Sequence, residues 1–86
     1  MGASSNLQFV EQEVEYTGAE ETTSYTFTDF FTQTPTTNAG VVIMFNGLRL
    51  NDADYSISNR DLTLNLSVMG YALEPSDIIA ASYAHT

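Results

Sequence analysis

Asn51-Asp52-Ala53-Asp54 places carboxylates at alternate positions, as does the opening of a loop that wraps a hard cation such as calcium. Such a loop needs a glycine at its sixth position and a closing glutamate at its twelfth, where Ser56 and Leu62 stand instead. The stretch therefore reads as a turn whose Asn and Asp side chains bond their own backbone, with Asp54 capping the entry to Tyr55. General acid–base chemistry needs two carboxylates at a set separation, and Asp52, Asp54, Asp61 and Asp77 all fall on predicted loops with nothing to mark a pair. A nucleophilic Ser or Thr needs a base. The only histidine, His85, is next to last and is expected to be solvated. Tyr16, Tyr25, Tyr55, Tyr71 and Tyr83 offer rings for stacking on sugars, but their ordinary place is a core edge with the hydroxyl on water or backbone, and tryptophan is absent. These residues predict no catalytic, metal or cofactor site, and so a protein that is not an enzyme.

Charge narrows the partners. Eleven Asp and Glu stand against two arginines, Arg49 and Arg60, with no lysine, for a net charge of -9. A phosphate backbone binds through Lys and Arg that displace its counterions, so nucleic acid is excluded as a partner, and an anionic membrane by the same sign. Glu11, Glu13, Glu15, Glu20 and Glu21 make the N-terminal third acidic. That row reads either as a solvated face guarding a strand edge or as a docking face for a basic patch. The start, Met1-Gly2-Ala3-Ser4-Ser5-Asn6, has neither the cationic nor the apolar part of a signal peptide, which predicts synthesis in a cytoplasm. Eighty-six residues predict one β domain with one core, and without cysteine the expected reinforcement for so small a core is association.

The elements that must carry these residues read as strands throughout, with no helical face. In Leu7–Thr17, Val10, Gln12, Val14 and Tyr16 alternate with Glu11, Glu13 and Glu15, while Leu7 and Phe9 are out of phase and predict a bulge or another environment. Thr22 to Phe31 resumes the strand pattern, and residues 33–40 form a surface loop around Pro35. The apolar run Val41-Val42-Ile43-Met44-Phe45 predicts a strand covered on both faces. Asn46-Gly47 after it predicts a two-residue hairpin with positive φ at both central residues. Strands at Tyr55–Ile57, through Leu62, Leu64 and Leu66, and from Ile78 to Ala84 complete the pattern. The predicted core is Phe45, Leu48, Leu50, Ile57, Leu62, Leu64, Ile79, Ala81 and Tyr83. The fold class is all-β, a small antiparallel β-sandwich or partly closed barrel of about six to seven short strands.

Val42-Ile43-Met44-Phe45-Asn46-Gly47, then Asp54-Tyr55-Ser56-Ile57, Leu62-Thr63-Leu64 and Pro75-Ser76-Asp77-Ile78-Ile79-Ala80-Ala81-Ser82-Tyr83 resemble a β-sandwich module of tailed-bacteriophage virion proteins. The module reads apolar-apolar-Asn-Gly, Asp-Tyr, two strands, then Pro-x-Gly-Asp before a final strand ending in Tyr. The likeness covers about half of the chain, residues 41–84. Ser76 replaces the expected glycine, so the last turn is expected to use another geometry, and residues 68–73 make a longer, more apolar connection than usual.

The resemblance implies a structural virion component. A short chain with its own Met is expected to be a capsid decoration, or cement, protein bound to the outer surface of the major capsid shell, where an acidic chain is kept from packaged DNA. Alternatives are a small tail, neck or fibre component and a host-surface glycan-binding module. The implied partners are the major capsid protein or another virion protein and further copies of the chain, as a trimer or else a dimer. The expected partner-binding residues are Leu7, Phe9, Val10, Glu11, Glu13 and Glu15, on a segment (residues 1–16) read as an arm or exchanged strand that docks by strand addition.

Overall fold

A computed structural model describes residues 7–86. The fold is all-β. Seven strands, β1 (Gln8–Glu15), β2 (Tyr25–Phe27), β3 (Val42–Phe45), β4 (Leu48–Arg49), β5 (Tyr55–Ser58), β6 (Asp61–Leu64) and β7 (Ile78–His85), form two antiparallel sheets. One has the order β1-β7-β3-β4 and the other β2-β6-β5. A four-residue helix, α1 (Leu66–Met69), ends at Gly70, whose φ of 80° is the left-handed cap that glycine adopts most readily. It replaces the last part of the strand predicted through Leu62, Leu64 and Leu66. Leu66 is nevertheless fully buried, so the alternation there reported burial and not extension.

Alternation dictates which side chains meet between the sheets. Ile79, Ala81 and Tyr83 of β7, Ile43 and Phe45 of β3, and Leu62 and Leu64 of β6 are buried. Val10, Tyr25, Phe27, Tyr55 and Ile57 pack against that core. Of the predicted core residues Leu48 is the exception, 51% exposed at the tip of the β3–β4 hairpin. Thr22 to Phe31 is extended only over Tyr25–Phe27, yet Phe30 and Phe31 beyond it are buried. They belong to a chain of rings in which Tyr16, Tyr25, Phe27, Phe30, Phe31 and Tyr83 follow one another at centroid distances of 5.1, 4.8, 5.8, 5.0 and 5.0 Å, mostly edge to face. Residues 33–40 are the expected loop, though Pro35 is buried and the Thr36 N–H donates to the Ala84 carbonyl at 2.9 Å.

Two local expectations change. The register of β1 against β7 is unbroken from Gln8↔His85 to Glu15↔Ile78, so no bulge resets the phase and Phe9 lies on the glutamate side. Ser76 has φ 81°, the left-handed conformation that a glycine there would take, and the Asp77 N–H donates to the Glu74 carbonyl across Pro75-Ser76 at 3.1 Å. The turn keeps the glycine geometry and places a serine in it. The hairpin at Asn46-Gly47 has φ 50° and 85°, as its sequence predicts.

Candidate docking surface

The outer face of the four-stranded sheet is built by the alternate residues of its strands. In β1 these are Phe9, Glu11, Glu13 and Glu15, all exposed, while Val10 turns inward opposite Tyr83 and is half-buried. Of the expected partner-binding residues, the structure therefore gathers Phe9 and the three glutamates on one face and removes Val10 to the core side; Leu7, 45% exposed, precedes the strand. The predicted arm is, over Gln8–Glu15, the edge strand of the chain's own sheet, paired with β7 from Gln8↔His85 to Glu15↔Ile78. Met1 to Asn6 lie outside the described residues.

β7 is an inner strand of that sheet and presents Ala80, Ser82 and Ala84 outward, opposite Glu13, Glu11 and Phe9. On its other side β3 presents Val42 opposite Ser82 and Met44 opposite Ala80, with Arg49 of β4 opposite Met44. Small side chains between longer ones leave a shallow open channel of about 610 Å³ walled by Glu11 and Glu13 on one side and by Val42 and Met44 on the other. Val42 and Met44 are half-buried, and among the described residues no further layer lies over them, so there the strand predicted to be covered on both faces is covered on one.

Gln12 fixes β1 in place. Its Nε2 donates to the Phe30 carbonyl at 2.6 Å, and its Oε1 accepts from the Tyr83 hydroxyl at 2.7 Å and the Thr32 N–H at 3.1 Å. A polar residue on the inner face, unremarkable in the sequence, thus ties both sides of the sandwich to the edge strand.

The other candidate residues have structural employment. Asp54 accepts from the Asn51 N–H at 2.9 Å in a 3₁₀ turn, the local arrangement expected for Asn51–Asp54. Asp61 accepts from the Asp29 N–H at 2.8 Å, and Asp77 accepts from the Asn46 side chain at 2.9 Å and the Glu74 N–H at 2.7 Å. Asp52 is exposed. Among the described residues no three His, Asp or Glu side chains converge as a metal set. His85 is buried at 8% exposure, because β7 runs to it and pairs it with Gln8. Of the tyrosines Tyr71 is exposed, Tyr25 and Tyr55 are half-buried, and Tyr16 and Tyr83 are buried. Burial, with Asp52 nearby, raises the Tyr55 hydroxyl pKa above its ordinary value.

Asn46 joins two distant turns. Its side chain donates to Asp77 at 2.9 Å and accepts from the Ile78 N–H at 2.8 Å, while its own N–H donates to the Ile78 carbonyl at 2.8 Å. No protein-family model, curated protein or solved structure matches the chain.

Proposed function

We propose that the chain is a structural, non-catalytic component of a tailed-bacteriophage virion, of the capsid decoration or cement type, that docks on the outer surface of the major capsid shell. The observation that carries this reading is the clamp between Asn46 and Asp77. Asn46-Gly47 and Pro75-Ser76-Asp77 are common pieces taken singly, as is Asp54-Tyr55, and their likeness to the virion module rests on order and spacing. Joined through Asn46, the first two become one structural device, in which the hairpin tip holds the turn that launches β7. The net charge of -9 favours the outside of a DNA-filled shell.

Quantifying the chain in purified heads freed of tails tests the proposal. Stoichiometric presence in tailless heads supports decoration, and recovery only with tails replaces it by a tail or neck component. Absence from both particles overturns the virion reading.

A further inference from the structure

We propose that the channel over β7 is the docking site for a segment of a partner protein that carries Lys or Arg along one side and apolar side chains along the other; the identity of that partner as a shell protein rests on the function proposed above. The first ground is composition. A solvated sheet face takes long polar or β-branched residues, whereas β7 sets Ala80 and Ser82 beneath Val42 and Met44, leaving backbone and apolar walls open to an incoming chain. Phe9, 76% exposed at the end of the acidic row, extends the apolar contact.

The second ground is charge complementarity. Glu11, Glu13 and Glu15 stand on the same face at every second residue, roughly 7 Å apart along an extended strand, which is the spacing of alternate side chains in a second extended segment. A second copy of this chain is a poor occupant. It has no lysine, and its Arg60 is engaged with its own Asp29 at 3.0 Å. Two copies meeting on this face bring two sets of three glutamates together against one Arg49 each. A basic segment instead places its cations over β1 and its apolar residues over Val42 and Met44, with Arg49 at the far edge setting its orientation.

The test uses the full chain with ¹³C-labelled methyl groups and two synthetic peptides of equal charge, one alternating lysine with valine and one alternating lysine with serine. Saturable shifts at Val42, Met44 and Ala80 with the valine peptide are expected, with the serine peptide at least about tenfold weaker and affinity falling with salt. Combining Glu11→Gln with Glu13→Gln should weaken the valine peptide by about tenfold, and Ser82→Arg, which fills the channel floor and adds a cation, should abolish binding without moving the thermal midpoint. Shifts centred on the β2-β6-β5 sheet, equal binding of the two peptides, or unchanged affinity in the variants overturn the channel. The same variants applied to purified heads separate the two proposals. Normal decoration by the variants overturns the channel and leaves the virion role standing, whereas peptide binding in the channel by a chain that no particle carries does the reverse.

Discussion

Ser76 holds a left-handed backbone at φ 81° where a side chain is disfavoured by roughly 1–2 kcal/mol. Replacing it by glycine relieves that strain, although glycine also loses more entropy on folding. Ser76→Gly is therefore expected to stabilise the fold by about 1 kcal/mol, read as a higher denaturant midpoint at unchanged slope; an unchanged midpoint would mean that the serine side chain compensates. Tyr16 makes a pH prediction. Burial, then the charges of Glu21 and Tyr25, push its hydroxyl pKa up, and the hydroxyl donates to the Ala19 carbonyl over Gly18, where a Cβ would meet the ring. The folded state keeps that proton at pH values where the unfolded chain has released it, so stability is level below about pH 10 and falls as pH rises beyond it. Tyr16→Phe should flatten the alkaline fall of the thermal midpoint, and an equally steep fall in the variant would assign it to other groups. The positive φ at Asn46 and Gly47 was legible because the turn chemistry is local. That at Ser76 was not, since nothing in the residue type asks for it, and His85 looked solvated only because a strand end cannot be read from one chain position.

Elements were legible where alternation persisted. β6 and β7 follow their apolar phase, but β2 shrank to three residues and Phe30-Phe31 went unrecognised as core, because they leave the strand before they enter the interior. Phe31 has no exposed surface and lies between Phe30 and Tyr83, each with its ring centroid at 5.0 Å. Phe31→Ala is expected to cost about 3–5 kcal/mol, measured by chemical denaturation. A loss under about 1 kcal/mol would show that the loop collapses to fill the space. For β1 the alternation gave the faces correctly but could not say whose sheet the strand joins. That depends on Gln12, whose bonds to Phe30, Thr32 and Tyr83 are invisible until the chain is folded.

At the scale of the molecule, a two-sheet sandwich followed from strand pattern and size, while the uncovered outer face did not. The run Val41–Phe45 announces apolar side chains on both faces of β3, and the sequence carries no sign that, among the described residues, a second layer covers one of them alone. The small core and the position of β1 at the sheet edge among the described residues, with glutamates along it, lead us to expect association in solution. Sedimentation of the purified chain should give a trimer or dimer at micromolar concentration. A monomer throughout would leave assembly dependent on the partner alone.

The pairing of Gln8 with His85 also sets a timetable for folding. The β3–β4 and β5–β6 hairpins close short loops, but β7, an inner strand of the four-stranded sheet, is the last to be synthesised of the seven described strands, and its neighbour β1 is the first. Closing so long a loop is entropically unfavourable before any contact rewards it, which places this topology among slow folders, in the range of milliseconds to seconds. The hairpins are expected to form early and β1 to dock late. Substitutions such as Leu62→Ala in β6 should then slow folding, whereas Val14→Ala in β1 should mainly speed unfolding; the opposite assignment of the two chevron arms would place β1–β7 pairing in the nucleus. Until β1 docks, one flank of β7 stays open, and during those moments the chain is most exposed to pairing with a strand from another molecule.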